Sequence, residues 1–559
     1  MSIVGLLFVF KHALLFAAVL LAVSAAGTLA VGSHENLALR SALGFALWGH
    51  TLFLLALVGQ LGGPAIVVLG LIAIAGGIVR GLRIPRIESR TIAMTGGVVL
   101  AAAFVMALRP PLAFDETTYH LPFVRALASG GQLRFLIDLR FPVFPQMHEL
   151  LCVPLFLAAG DAATHLVSLA EMLITTALLL DWGRRYAAPA GALAAGVFIG
   201  SPIVIHLATI GYVESALTLF VTAGFYCLDR ARVEGRVMLA WSGLFFGTAC
   251  GVKYLGGFFA VAAGIIVVWH WRRSMRLAAI FAGCVAAAAL PTTAWIAANS
   301  GNPLFPFLPS LFGASAWAIT MPEPALAVRV TRTLRLVWNV TFARSSVNEQ
   351  PPFTPFLVVI VVTLIAAAIR DVRARYVAAI VVAYAIVFSS LPQDSRYLVP
   401  LLPLLSIVAA VALGKRASAL AIAGVGIAIL YAGYALAVRG LPPLTADARE
   451  SFLREHIPEY AALERAQSET VYVYGAEQLK YYAGGKLLGD LIGPYSYDRM
   501  MTGAGTTSAI AARLRRIDAR CYLVAKRVCF PPRPDGQMEL IYEDSAAQLW
   551  RVQRNQSSP

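Results

Sequence analysis

Fourteen stretches of this chain are apolar over lengths that can cross the ~30 Å hydrocarbon core of a bilayer as helices. A membrane permits few architectures, because every backbone N–H and C=O inside the hydrocarbon must be bonded internally. The chain is 59% hydrophobic and only 13% charged, against roughly 25% charged residues in soluble proteins, which excludes a purely soluble enzyme. We therefore predict an all-α polytopic membrane bundle of about 13–14 transmembrane helices. The predicted helices lie near residues 10–32, 42–59, 63–80, 91–108, 162–181, 190–209, 212–229, 237–252, 254–271, 277–297, 354–370, 376–391, 397–413 and 417–438.

The formal charge of +15 indicates membrane topology rather than nucleic-acid binding, because the basic residues lie in small groups between apolar runs. Short cytoplasmic loops collect Lys and Arg. Alternate loops hold eighteen of these residues and are predicted to be inside. The short loops of opposite parity hold only Lys253 and Arg396. These two cations need another reason for their placement, and we take them as site candidates.

The same alternation places three long polar stretches on the outer side: loops 109–161 and 298–353, and the tail 440–559. The working face is therefore predicted to be outward. Segment 149–160 is apolar but short, and a crossing there would move the next arginine pair outside. We predict that this segment is re-entrant or interfacial.

Beyond residue 439 the apolar runs shorten to strand length, as in TVYVYG, CYLVAK and MELIYE. This change predicts two domains, a transmembrane catalytic domain over 1–439 and a small extracytoplasmic α/β domain over 440–559. In an oxidising compartment Cys521 and Cys529 could close a disulfide. Two unpaired, small apolar residues are the equal alternative.

Two adjacent acids, Asp115 and Glu116, follow the fourth predicted helix. Pro122 suits the first turn of a short helix and Gly130-Gly131 suits its end, so we expect the acids in the turn before a surface helix, facing a cavity at headgroup level. The alternative is that they simply mark a hydrated helix end. His120 is the only histidine near enough in sequence to join Asp115 and Glu116 in binding a divalent metal.

A third carboxylate, Glu214, begins an otherwise apolar helix at the same predicted membrane face. Ionisable residues inside membrane spans are by default functional, and Lys253 and Arg396 lie at two further outward turns. Three acids and two cations on one face suit a displacement in which a phosphate leaves, since a carboxylate takes the proton of the nucleophile and cations hold the departing anion. Each cation alone could instead pair with a lipid phosphate.

These motifs resemble the GT-C superfamily of integral-membrane glycosyltransferases, and most closely its protein O-mannosyltransferase and aminoarabinose transferase branch. The first motif is Asp115-Glu116-x-x-Tyr119 in the first large outer loop. The others are Gly211-Tyr212-Val213-Glu214, Gly251-Val252-Lys253-Tyr254, Gly301-Asn302-Pro303-x-x-Pro306 and Arg396-Tyr397. Their order and common membrane side carry the resemblance.

The resemblance implies an inverting transfer of a sugar from a polyprenyl-phosphate donor to a cell-envelope acceptor of unknown kind, with membrane lipid as surroundings and no nucleic acid as partner. It implies a bacterial inner-membrane protein whose active site and C-terminus face the periplasm. A divalent metal is an open expectation, with Asp115, Glu116 and His120 as its ligands.

The resemblance also assigns residues. The implied catalytic carboxylates are Asp115, Glu116 and Glu214, with Asp115 as general base. Aminoarabinose transferases carry Arg where this chain has Thr118, which moves binding of the sugar donor's phosphate to Lys253, Arg396 or Arg125. Relatives more often carry Asp at the position of Glu214. The implied cavity residues are Tyr119, His120, Tyr212, Asn302 and Tyr397.

Two other classes of protein share the helix count. A transporter or lipid-linked-sugar flippase should show inverted repeats and charges near the bilayer midplane, whereas here the polar residues gather at one face. A non-catalytic partner of a cell-envelope complex would keep the fold and lose the role of the acids.

Overall fold

The computed structural model describes residues 3–83, 90–319, 323–414, 418–528, 532 and 534–553. All fourteen predicted spans are helical within these ranges. Among the described residues, six helices are long and apolar enough to cross a membrane by length and composition, and seven shorter apolar helices accompany them. The helices up to residue 312 are α1 Ile3–Val31, α2 Leu37–Leu57, α3 Gly63–Val79, α4 Arg90–Ala107, α5 Leu121–Gly130, α6 Met147–Ala159, α7 His165–Arg184, α8 Ala188–Ile199, α9 Pro202–Leu207, α10 Glu214–Glu234, α11 Arg236–Val252, α12 Gly256–His270, α13 Met275–Ser300 and α14 Pro309–Phe312.

The remaining helices complete the bundle and enter the C-terminal domain. Tight 3-10 turns cover Ala162–Thr164, Arg344–Val347, Ser395–Leu401 and Glu477–Tyr481, and Glu116–His120 forms a π-helical turn. The helices are α15 Leu326–Leu334, α16 Leu336–Phe342, α17 Leu357–Arg370, α18 Val372–Phe388, α19 Leu402–Leu413, α20 Ser418–Arg439, α21 Ala446–His456, α22 Tyr460–Ala466, α23 Tyr497–Met501 and α24 Thr507–Arg515.

Two predicted spans are interrupted. The run near 190–209 divides into α8 and α9 because Pro202, at the first turn of α9, has no N–H with which to continue a helix. The run near 397–413 begins as the 3-10 turn Ser395–Leu401, which contains Pro400, before α19. The predicted re-entrant segment is the short helix α6, whose first half is buried; its relation to the membrane stays a prediction.

Helix α10 lies at the centre of the bundle and is buried along nearly its whole length. It packs on α7 and α11 and touches the turn Ser395–Leu401. Its first residue is Glu214. The central helix therefore delivers a carboxylate to the end of the bundle where that turn begins.

The C-terminal domain is a five-stranded sheet in the order β2-β1-β3-β5-β4. The strands are β1 Val471–Tyr474, β2 Leu487–Leu488, β3 Cys521–Ala525, β4 Met538–Glu543 and β5 Ala547–Val552. β1, β2 and β3 run parallel, and β5 pairs antiparallel with β3 and β4. The three predicted strand segments correspond to β1, β3 and β4. Separate apolar clusters cover the two faces of the sheet.

The fold-class prediction is confirmed: a polytopic helical bundle carries a small C-terminal α/β domain. Cys521 is buried on β3, with its thiol 3.0 Å from Glu469 Oε2. Cys529 lies outside the described residues. The proposed disulfide between them stays a prediction.

Candidate active site

The loop after α4 aims its two adjacent acids in different directions. Asp115 precedes the π-helical turn Glu116–His120, which leads directly into α5. Pro122 lies in the first turn of α5, and Gly131 ends it with a left-handed φ of 65°, as the sequence predicted. The wide π turn is a feature often found at functional sites, and here it separates the Asp115 and Glu116 carboxylates.

Asp115 forms an ion pair with Arg396. Its Oδ2 lies 2.5 Å from the Arg396 guanidinium, and 16% of the Asp115 side chain is exposed. Burial raises the pKa of the Asp115 carboxyl, but Arg396, with His120 and Lys253, more than offsets that effect, so the pKa falls to about 2. The ion pair therefore favours the carboxylate form of Asp115, and a small part of this side chain is exposed.

Glu214 forms the second half of the same cluster. Its Oε1 lies 2.6 Å from Lys253 Nζ and 3.8 Å from Arg396 Nε. Glu214 is fully buried, whereas 26% of the Lys253 side chain is exposed. Glu214 Oε2 has no hydrogen-bond partner among the described residues. Asp115, Arg396, Glu214 and Lys253 thus form one cluster in which acids and bases alternate. The side chains of both cations are more exposed than that of Glu214.

Two tyrosines flank the cations. The Arg396 guanidinium lies 4.4 Å from the ring centre of Tyr212 and 5.2 Å from that of Tyr397, and Lys253 Nζ lies 4.2 Å from the Tyr397 ring. Tyr212 also places its hydroxyl 3.4 Å from the Asp115 amide nitrogen, which donates to it. Aromatic faces attract desolvated cations, so both rings hold the charged groups in place.

Sequence reasoning missed the residues that orient Arg396. Asp394 Oδ2 lies 2.9 Å from Arg396 Nε, and Asp394 accepts a hydrogen bond of 2.8 Å from the Asn348 amide. The role of Asp394 could have been predicted from Gln393-Asp394-Ser395-Arg396, because an Asp at this position caps a turn by accepting the Arg396 backbone N–H. The role of Asn348 could not, because it is distant from Arg396 in sequence.

Glu116 has partners of its own. His165 Nε2 lies 2.5 Å from Glu116 Oε1, and the Gly211 N–H donates to the same oxygen at 2.8 Å. The Glu116 side chain has no solvent exposure. The structure therefore ties Glu116 between α7 and the turn before α10, where it lines a cavity of about 320 Å³ with His165 and Tyr212. His165 was too far away in sequence to be linked to it.

The three predicted metal ligands do not converge. Asp115 pairs with Arg396, Glu116 with His165, and His120 Nδ1 with Glu149. Among the described residues, no group of three or more His, Cys, Asp and Glu side chains is arranged to hold a metal ion. Held apart in three separate pairs, these residues do not fit a divalent cation.

Two further candidates have contacts elsewhere. Arg125 donates to the Tyr481 carbonyl and lies 4.3 Å from the Tyr481 ring centre. It therefore connects its loop to the C-terminal domain and does not join the cluster of Lys253 and Arg396. Asn302 closes its own turn by donating to the Phe307 carbonyl and accepting from the Leu304 N–H, both at 2.8 Å. Tyr119 lies in the aromatic cluster around Phe141 and Phe144, beside His120.

The C-terminal domain rests on the loop that carries Asp115. Arg140 lies 2.6 Å from Asp490 Oδ1, and its guanidinium lies 5.0 Å from the Phe114 ring centre, next to Asp115 in sequence. Tyr482 donates from its hydroxyl to the Pro111 carbonyl. These contacts hold the loop against the C-terminal domain, while its other contacts hold it against the helical bundle.

Two family models match parts of this chain. Residues 161–296 match the model of the dolichyl-phosphate-mannose-protein mannosyltransferase family, and residues 448–551 match a model described as SF2091/S2213. The uncharacterized protein SF2093/S2215 of Shigella flexneri is 30% identical over 161 residues, which are 28% of this chain and 80% of that protein.

Two solved structures share the fold. The apo crystal structure of ArnT from Cupriavidus metallidurans matches with a TM-score of 0.56 at 14% identity, over 82% of this chain and 97% of that one. ArnT from the same organism bound to undecaprenyl phosphate matches with a TM-score of 0.51 at 13% identity, over 85% of this chain and the whole of that one. At these identities the likeness concerns the fold.

Proposed function

Because this chain belongs to the family of the Shigella flexneri protein SF2093/S2215 and has the GT-C fold, we propose that it transfers a sugar from a polyprenyl-phosphate donor to a hydroxyl of a cell-envelope acceptor. The observation that carries the proposal is the cluster of Asp115, Arg396, Glu214 and Lys253, which combines a partly exposed carboxylate with two cations. The matched mannosyltransferase model and the undecaprenyl phosphate bound by ArnT support the class of sugar donor.

In the proposed reaction the acceptor oxygen attacks C1 of the sugar from the side opposite the phosphate. The new C1–O bond forms as the bond between C1 and the phosphate oxygen breaks, which inverts C1. Asp115 takes the proton of the acceptor hydroxyl, because its carboxylate is ionised and partly exposed. The electron pair leaves with polyprenyl phosphate, whose charge Lys253 and Arg396 stabilise.

Glu214 would act as a positioning residue. It is buried against Lys253 and Arg396 and has one unpartnered oxygen. Three carboxylates, those of Asp115, Glu214 and Asp394, hold the two cations in place. Lys253, with 26% of its side chain exposed, is the more open of the two cations to a phosphate. The polar groups lie at the ends of α10, α11 and the turn Ser395–Leu401, which supports an enzyme over a carrier with charges at the midplane.

We place this cluster on the periplasmic side of a bacterial inner membrane. The placement rests on the basic residues of the alternate short loops. The C-terminal domain, which contacts the loop of Asp115, shares that side.

Purified protein, a synthetic polyprenyl-phosphate sugar and a cell-envelope extract test the proposal. We expect polyprenyl phosphate to be released and the sugar to appear on an extract component. Release should depend on both the protein and the extract. A panel of hexosyl and pentosyl donors that yields no protein-dependent release would contradict the proposed activity.

Replacing Lys253 should weaken binding of the sugar donor. A charge-assisted contact contributes about 1.5–3 kcal/mol, so we expect Lys253→Ala to raise the Kd for polyprenyl phosphate about 10- to 150-fold. Lys526→Ala is the matched control, because Lys526 pairs with Glu543 at 2.7 Å and its side chain is also 26% exposed. Equal Kd values for the two variants would assign Lys253 to a purely structural ion pair.

The sugar donor should also change the basicity of Asp115. Arg396 holds the pKa of Asp115 at about 2 in the free protein, and a bound phosphate shares the charge of Arg396 and so raises that pKa. The kcat profile reports the bound state and the kcat/KM profile the free state. We therefore expect kcat to fall on the acidic side at a pH where kcat/KM is still level. Profiles of kcat and kcat/KM that both stay level, or that fall together, in rate measurements between about pH 3.5 and 8 would contradict the exchange of partners.

A further inference from the structure

A large cavity lies at the opposite end of the bundle from the candidate active site. Its volume is about 710 Å³, and it opens between α10, α12, α17, α18 and α19. Helix α10 begins with Glu214 at the active site, and Asp229 of the same helix lines this cavity. Fifteen residues of helix rise about 22 Å. The cavity therefore belongs to the other membrane face, where the short loops concentrate arginine.

The interior of the cavity is apolar. Ile266, Val362, Ile380 and Leu404 contribute its walls from four different helices. Val362 is largely exposed, and so the cavity opens sideways from the bundle as well as at its end. Such a shape suits a hydrocarbon chain entering from the surrounding lipid.

The mouth of the cavity is basic. Arg232, Arg370 and Arg373 line it together with Asp229, Asp371 and His270. Asp229 is already engaged by Trp182, Tyr186 and Arg373, and Asp371 caps α18 by accepting the Arg373 backbone N–H. No hydrogen bond or ion pair joins Arg232 or Arg370 to any residue within the described ranges.

We propose that this cavity binds one anionic phospholipid, with the phosphate at Arg232 and Arg370 and an acyl chain along the apolar walls. Two guanidiniums that have no partner among the described residues are complementary to a phosphate diester, and guanidinium–phosphate contacts are the strong class of hydrogen bond. Basic pockets between membrane helices on the face that collects arginine bind anionic lipid headgroups. The proposal does not depend on the reaction at Asp115.

Native mass spectrometry of the full chain can test this site with phosphatidylglycerol and phosphatidylcholine of identical acyl chains. We expect one retained phosphatidylglycerol per chain, with at least tenfold lower occupancy of phosphatidylcholine. Arg232→Gln combined with Arg370→Gln should remove the preference. Glycerol phosphate, which has the headgroup chemistry without the chain, should not compete.

Matched variants distinguish specific binding of the lipid in the cavity from nonspecific attraction of anionic lipid to basic residues. Arg273→Gln combined with Arg276→Gln removes the same charge near the same face outside the cavity, and the bound lipid should be retained. Ala366→Phe adds bulk at an exposed lining position and should reduce retention of both lipids. The proposal is overturned if the two double variants lose lipid equally, or if Ala366→Phe retains it as the unmodified chain does.

Discussion

We expect Asp115→Asn to reduce sugar transfer about 10²- to 10⁴-fold, which is the usual contribution of a general base. A hydroxyl is a poor nucleophile near neutral pH, and the amide keeps the shape of the side chain but cannot take the proton. The variant should fold, because Asp115 is at the edge of the cluster with an exposed fraction of 16%. Loss of the Asp115 charge also frees Arg396 from one carboxylate.

The release of Arg396 from Asp115 distinguishes a role in catalysis from a role in binding. Freed from Asp115, Arg396 should bind polyprenyl phosphate at least as tightly as before, so kcat falls while the Kd for the lipid does not rise. Asp161→Asn is the matched control, since Asp161 pairs with Arg449 at 2.6 Å and its side chain is 11% exposed. Normal turnover by Asp115→Asn would remove Asp115 as the base, and a raised Kd at unchanged kcat would make it a binding residue.

The predicted outward placement of Lys253 and Arg396 was informative because it violated a general preference. The preference of Lys and Arg for cytoplasmic loops explains the other short-loop cations but not these two. In the structure both are held by Glu214, and Arg396 also by Asp115. Local sequence could therefore identify the members of this cluster, each by its unusual position.

Partner choice could not be predicted in the same way. Glu116 and His165 are 49 residues apart and meet because α7 passes the loop after α4. Arg125 was a plausible phosphate ligand by charge, but the C-terminal domain covers it with Tyr481. Both outcomes depend on how helices and domains pack, and no spacing in the chain encodes that packing. The helical spans were predictable because the bilayer imposes their length locally.

The largest expected effect on stability concerns Glu116. Removing one member of a buried charge-paired group costs about 3–5 kcal/mol of unfolding free energy, and Glu116→Ala would also leave the Gly211 N–H without its acceptor. We expect this loss in denaturant titrations of the protein in detergent micelles. The matched control Glu464→Ala removes a carboxylate from an exposed pair with Arg454, where such pairs contribute about 0–1 kcal/mol.

Gly211→Ala should disturb the contact between Glu116 and His165 without changing either residue. A Cβ at Gly211 would lie 2.4 Å from Glu116 Oε1, so Gly211→Ala must displace the carboxylate from His165. If Glu116 positions the loop, Glu116→Ala and Gly211→Ala should lower stability together, and the folded fraction of each should lose kcat because Asp115 moves with the loop. Asp115→Asn should lose kcat alone. If Glu116→Ala keeps full stability and loses turnover as completely as Asp115→Asn, Glu116 is itself the reacting carboxylate, and the buried pair with His165 opens during catalysis.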